Sequence, residues 1–287
     1  MLRNKPTMHV AVEPRPRVAV ADRPVARPTD LAQRLAAACA LEDPPPERFG
    51  FRFDTALRCF RITSFFYRRW FRVECDGVDR LPAGACLLVA NHGSHVFDWD
   101  GAMLLTAALL EPDVPRLVHG MALHRLMEMR FLGTIARSMG AVDGNRPACE
   151  ALVRAGAAVL TFPETVKALA KPFRDRYRLR PFGQGFMHVA LATRVPVVPV
   201  AVIGSEEEAP LLANPRWLAR LVNTPVAPIT PGVLVPLPTK YRIHFGAPLE
   251  FTGPATPDTV ARHVRHVESA VAGLVADGLA RRRHVFF

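Results

Sequence analysis

From residue 73 to residue 252, short apolar runs alternate with segments of helical length, and few architectures accommodate that alternation. Candidate strands fall at 73–76, 86–90, 116–119, 138–142, 157–161, 197–203 and 241–245; candidate helices fall at 99–110, 122–137, 147–155, 184–193 and 211–222. Each helix must bury its apolar stripe, and a sheet between helical layers provides the surface for it. The expected class is α/β, a layered mixed β-sheet flanked by helices. A chain of 287 residues with 49% hydrophobic content can fill such a core, as one large domain with tails or as two small ones.

The flanks read differently. Residues 1–28 are rich in Pro and Arg without periodicity, and 1–50 is expected to be mostly a disordered, basic tail. A short helix over 30–42, starting at Thr29 or Asp30, is stopped by Pro44-Pro45-Pro46. Residues 224–238 carry many prolines and read as a surface loop. A last helix starts at Thr256-Pro257 and runs to about 280, ending in Arg281-Arg282-Arg283. The domain proper is placed at 73–287.

The run Leu87-Leu88-Val89-Ala90-Asn91-His92-Gly93-Ser94-His95-Val96-Phe97-Asp98 carries the chemistry. An apolar strand stops at a histidine, and an aspartate stands six residues on. A histidine at a strand end, oriented by a carboxylate, can take a proton from a hydroxyl near neutral pH. Three readings stay open on spacing alone. His92 and Asp98 form a general-base pair, with Asp100 as a rival carboxylate; His92, His95 and Asp98 gather a zinc or iron ion; or the segment is a polar turn without chemistry.

The downstream blocks raise the first reading. Gly140-Ala141-Val142-Asp143-Gly144-Asn145-Arg146 is a strand end with a polar, basic loop. Phe162-Pro163-Glu164-Thr165-Val166-Lys167 follows a strand, and Val195-Pro196-Val197-Val198-Pro199-Val200 is a strand interrupted by prolines. Tyr241-Arg242-Ile243-His244-Phe245-Gly246-Ala247-Pro248-Leu249 is a strand and turn. This ordered set, over roughly residues 73–252, resembles the glycerolipid acyltransferase superfamily. The five residues between His92 and Asp98, an HX5D motif, resemble its diacylglycerol acyltransferase-like branch more than the four-spaced lysophosphatidate acyltransferases. Two positions depart from the usual third block: Thr165 replaces a glycine, and Lys167 stands where Arg is usual.

The resemblance implies transfer of a fatty acyl group from a thioester, acyl-coenzyme A or acyl-carrier protein, to a hydroxyl of a glycerolipid, a lysophospholipid or diacylglycerol. It implies no bound cofactor and no metal. His92 would be the base and Asp98 its orienting partner. Asn91, Gly93, Ser94, Arg146, Phe162, Pro163, Glu164, Thr165 and Lys167 would meet substrate. Arg146 and Lys167 are the cations placed for phosphate, and Glu164 would position the acceptor hydroxyl. Lysine offers a point charge rather than the bidentate fork of arginine. The Thr165 and Lys167 departures therefore favour a phosphate-free acceptor. Two rivals remain: a thioesterase or metal-assisted lipid hydrolase, and a non-catalytic membrane-lipid-binding module.

Charge and composition bound the partners. The net charge of +11 implies an anionic partner, and no nucleic-acid-binding motif is present, so an anionic membrane surface is expected and nucleic acid is not. The five cysteines form no C-x-x-C pair, which suits a reducing compartment. No apolar run reaches the ~20 residues that span a bilayer, so a peripheral enzyme on the cytoplasmic face of the membrane is expected. Residues 51–72 are the expected anchor, an amphipathic membrane-interface helix. At 100° per residue Phe53, Leu57, Phe60, Ile62, Phe66, Tyr67, Trp70 and Phe71 share one face, opposite Arg58, Arg61, Arg68, Arg69 and Arg72; Arg52 and Phe65 break the separation. The alternative for this segment is packing of the aromatics on the core.

Overall fold

The computed structural model describes residues 30–94, 97–165, 168, 170–215, 217, 229–231 and 235–286. Residues 1–29, and with them most of the basic tail, lie outside the described residues, as do His95 and Lys167. Among the described residues, strands β1 (Glu74–Asp76), β2 (Cys86–Ala90), β3 (Val118–Ala122), β4 (Val142–Asp143), β5 (Ala158–Thr161), β6 (Val197–Ile203) and β7 (Arg242–Phe245) form one sheet in the order β1-β7-β6-β2-β5-β3-β4. All neighbours are parallel except β6 and β7, so the sheet is mixed.

The two faces of β2 show why its residues are all apolar. Leu87 and Val89 point into one core with Leu152, Met187, Val197 and Val267; Leu88 and Ala90 point into the other with Met103, Leu104, Val198 and Phe71. The first core is closed by α6 (Arg146–Arg154), α7 (Gly185–Thr193) and α9 (Pro257–Arg281), the second by α3 (Trp99–Leu110). Helix α9 presents Val260, Val264, Val267, Val271 and Val275, spaced by three and four, to the sheet. Thr256 caps its N-terminus and Pro257 occupies its first turn. Helix α1 (Leu31–Cys39) is capped by Asp30, whose carboxylate accepts from the Ala32 and Gln33 amides.

Four expectations are revised. The segment 122–137 is not one helix but two, α4 (His124–Glu128) and α5 (Leu132–Ser138). Gly133 sits so close to the Leu126 and Met127 carbonyls that a Cβ would overlap them, which lets α5 cross tightly over the end of α4. Helix α5 then runs to Ser138, and Gly140 turns the chain at φ +90°, so β4 begins only at Val142. In 211–222 the first residues are extended, with Ala213 bridged to Ile229; Trp217 is helical, and the rest lies mostly outside the described residues.

The fourth revision concerns 51–72. Helix α2 (Phe53–Phe65) is followed by a π-helical turn over Phe66–Trp70, in which the Phe71 amide donates to the Phe66 carbonyl. That turn inserts a residue and shifts the helical phase. Phe60, Tyr67 and Phe71 are buried, Phe66 packs on Trp99 at 4.4 Å, and Phe71 packs on Tyr241 at 4.4 Å. The aromatic face that could enter a bilayer is thus mostly spent on α1, α3, α5 and the sheet, and the segment is part of the domain rather than an appendage. Ile62 and Phe65 stay exposed, with Arg58, Arg61, Arg68 and Arg69. Arg72 instead folds back to donate to the Pro238 and Phe286 carbonyls.

Candidate active site

The parallel strands β2, β3, β4 and β5 end on one side of the sheet, where ligands of open α/β sheets bind. A cleft of about 640 Å³ opens there. Its walls are largely apolar, with Met121, Leu123, Phe162, Phe186 and Val189, and His92 stands in it at the end of β2. The imidazole stacks on the Phe162 ring, 4.4 Å between centroids at 20°.

His92 Nδ1 lies 2.9 Å from Asp100 Oδ2. Asp100 is fully buried, and the same oxygen accepts from the Gly93 amide at 2.7 Å and the Ser94 amide at 3.2 Å. With Nδ1 donating to this carboxylate, Nε2 is the nitrogen left to the cleft. The contact assigned by spacing to Asp98 is therefore made by Asp100. Helix α3 starts at Trp99, so Asp98 is its cap and accepts from the Gly101 amide at 3.1 Å, while the first turn carries Asp100 inward beneath the histidine. Asp98 remains on the cleft wall.

Several residues expected to meet substrate instead hold the site. The Asn91 carboxamide donates to the Val202 carbonyl and accepts from the Val202 amide, locking the end of β2 to β6. Buried Glu164 accepts from the His92 amide at 3.1 Å through Oε1 and from the Arg180 amide at 2.6 Å through Oε2, so both oxygens point away from an acceptor. A Cβ on Gly93 would overlap Ser205 and Glu206, so only glycine fits there. Ser94, Phe162, Pro163 and Thr165 do line the cleft. Thr165 has φ +58°, the left-handed conformation that favours glycine, and glycine is the residue it replaces in the resembled pattern. Arg146, in the first turn of α6, lines the mouth and pairs with Glu150 at 2.7 Å.

Beneath the cleft lies a network that the sequence does not announce. Helix α8 (Ser205–Glu208), after β6, buries three consecutive glutamates. Glu208 accepts from Ser94 Oγ at 2.7 Å and contacts the Tyr241 hydroxyl; Ser94 Oγ in turn accepts from the Asp100 amide at 3.1 Å. Glu206 pairs with buried Lys171 at 2.9 Å, and Glu207 pairs with Arg282 at 2.8 Å and contacts the Tyr177 hydroxyl. Burial pushes the Glu208 carboxyl well above the usual range, against the hydrogen bonds from Tyr241 and Ser94.

Burial opposes charging of His92, but the charge and hydrogen bond of Asp100, with Asp98 and Glu164 nearby, lift its pKa to about 9. Burial would raise Asp100, yet His92 and the Gly93 amide hold it below the usual carboxylate range. A base must be neutral to accept a proton. The rate constant kcat/KM should therefore rise about tenfold per pH unit between 7 and 8 and level near pH 9. Asp100→Asn should move that limb down toward the ordinary histidine value of about 6.5. A pH–rate profile of both proteins checks this.

One donor atom each from His92, Asp98 and Asp100 lies within 4.8 Å of the others, a spacing compatible with a metal ion. Two of these groups are already engaged with each other through the Nδ1–Oδ2 contact, and the Asp98 carboxylate is engaged by Gly101.

The Acyltransferase family model matches residues 72–203. An uncharacterized protein of Mycobacterium tuberculosis is 37% identical over 284 residues, covering 91% of this chain and 79% of that one. A mouse protein named "DGAT1/2-independent enzyme synthesizing storage lipids" is 23% identical over 205 residues, covering 70% of this chain and 60% of that one. The crystal structure of the 1-acyl-sn-glycerophosphate acyltransferase PlsC from Thermotoga maritima shares the fold, with a TM-score of 0.54 and 18% identity over 80% of this chain and 83% of that one. The fold and the matched sequence define an acyltransferase. The chain belongs to the glycerolipid acyltransferase superfamily.

Proposed function

We propose that this chain moves a fatty acyl group from acyl-coenzyme A or acyl-carrier protein to a hydroxyl of a glycerolipid, using His92 as the base and Asp100 as its orienting carboxylate. The observation that carries the reading is the His92 ring, held between Phe162 and buried Asp100 with Nε2 left to an apolar cleft. Nε2 takes the proton of the acceptor hydroxyl as its oxygen attacks the thioester carbonyl. When the tetrahedral intermediate collapses, the C–S bond breaks and the imidazolium gives that proton to the leaving thiolate. Asp100 keeps the proton on Nδ1 and stabilises the imidazolium between the two steps. No covalent acyl-enzyme is needed.

The apolar walls suit the acyl chain and the acceptor tails, and Arg146 at the mouth suits phosphate, in the donor or in the acceptor head group. The Thr165 and Lys167 departures and the likeness to the mouse storage-lipid protein favour a phosphate-free acceptor such as diacylglycerol. The acceptor is a membrane component, so the enzyme works as a peripheral protein at the cytoplasmic face of the membrane. The five unpaired cysteines fit that reducing side.

The test incubates the purified protein with labelled acyl-coenzyme A, or acyl-carrier protein, and a membrane-lipid extract. A labelled glycerolipid is expected, and turnover is expected to survive exhaustive chelation. Free fatty acid as the sole product would make the chain a thioesterase or lipid hydrolase. Activity lost on chelation and restored by one metal would turn His92, Asp98 and Asp100 into a metal site.

A further inference from the structure

With α2 mostly consumed by the core, the exposed apolar surface gathers elsewhere. Phe97 and Leu123 line the cleft and are also 46% and 47% exposed, so they form its rim. From Leu123 the chain runs through α4 into the α4–α5 turn, where Met129 is 49% and Phe131 74% exposed. Large apolar side chains this open are normally scattered singly; here three fall within nine residues, beside an apolar cleft. Arg125 and Arg130 are exposed in the same stretch.

We propose that residues 123–131, with Phe97, dock the enzyme on an anionic lipid bilayer, with Met129 and Phe131 entering the acyl boundary. Three features select a bilayer rather than a protein partner. Arginines flank the apolar tips, the arrangement that interfacial segments use against anionic head groups. The chain carries a net charge of +11. The apolar rim is continuous through Leu123 with the cleft that holds His92, so an acceptor lipid reaches the base from the bilayer without crossing water. This last point rests on the proposed acyl transfer; the docking itself does not. It also moves the anchor from residues 51–72, where only Ile62 and Phe65 remain open among the apolar side chains, to the mouth of the site.

Binding of the full chain to phosphatidylcholine vesicles, with and without phosphatidylglycerol, separates the possibilities by co-sedimentation. The double variant Met129→Ser/Phe131→Ser should bind on the order of tenfold more weakly to both. Arg125→Gln/Arg130→Gln should lose on the order of tenfold on anionic vesicles only, and high salt should reproduce that loss in the parent. Ile62→Ser/Phe65→Ser should bind within about threefold of the parent. Turnover of a soluble short-chain acceptor should be the same in parent and Met129→Ser/Phe131→Ser. Its absence in both would refute the catalytic reading while leaving the docking result standing. Because serine at two positions could disturb the turn, Phe131→Trp is the second probe: its fluorescence should be quenched by brominated lipid in anionic vesicles. Parental binding by Met129→Ser/Phe131→Ser, or no quenching of Phe131→Trp, overturns the proposal. So does a parent that ignores vesicles and self-associates through Phe131.

Discussion

His92→Ala should lower acyl transfer by about 10²–10⁴-fold, the range for loss of a positioned general base. Folding should survive, because Asp100 keeps its bonds from the Gly93 and Ser94 amides when the imidazole is gone. The two aspartates then decide between spacing and geometry. Asp100→Asn removes the negative charge beside Nδ1 and replaces one acceptor oxygen with an NH2 donor, and should cost about 10²-fold or more in kcat. Asp98→Asn keeps the helix cap, since Asn and Asp cap equally well, and should stay within about threefold of the parent. Steady-state rates with unfolding curves for all three variants measure this. Near-normal turnover of His92→Ala would end the mechanism, and a larger loss in Asp98→Asn than in Asp100→Asn would return the orienting role to Asp98.

Lys171→Met should destabilise the protein by about 3 kcal/mol or more, the usual cost of leaving a buried charge without its partner. The ammonium is fully enclosed, 2.9 Å from Glu206 and 4.0 Å from Glu164. It supplies the positive charge beneath the loop that holds the His92 amide. The loss should depend on pH in a definite direction. Burial, against the pull of Lys171, already lifts the Glu206 pKa to about 7, so the folded state holds a proton there more tightly than the unfolded chain does. Without Lys171 that preference grows. The deficit relative to the parent at the same pH should be smaller at pH 5, where Glu206 is protonated, than at pH 8, where it must be buried as a charge. Urea unfolding at the two pH values measures it; an equal deficit at both would show that Glu206 does not sense the change.

Much of the architecture is legible in the residues. The central strands 86–90 and 197–203 stand as read, because both are runs without a polar residue, Pro199 included, that only a sheet covered on both faces can bury. Helix α3 is direct through its length, and the start of α9 through its periodicity and the Thr256-Pro257 cap. His92 at the strand end was legible for the same reason: a strand that must be buried has to stop where a polar residue appears. The misreadings share a cause. The 122–137 segment has the length of one helix, and nothing local shows that Gly133 lets a second helix cross the first. Residues 51–72 carry a regular aromatic face, but a domain core accepts such a face as readily as a bilayer does, and the π turn shifts its phase.

By itself, then, the sequence determined the α/β class, the strand that presents His92 and the ordered blocks that mark an acyltransferase, because periodicity and chain order are local properties. Only the tertiary structure decided which carboxylate serves the histidine. Asp98 and Asp100 differ by two residues in the chain, and the start of α3 turns the second inward while the first caps the helix. It also decided that Glu164 and Asn91 hold the site together, and that Glu206, Glu207 and Glu208 are buried supports of the cleft. Three glutamates after a strand read as solvated charge. Their burial depends on Lys171, Arg282 and Tyr241, which the chain supplies from 33 to 75 residues away, and no local pattern records a partner at that distance.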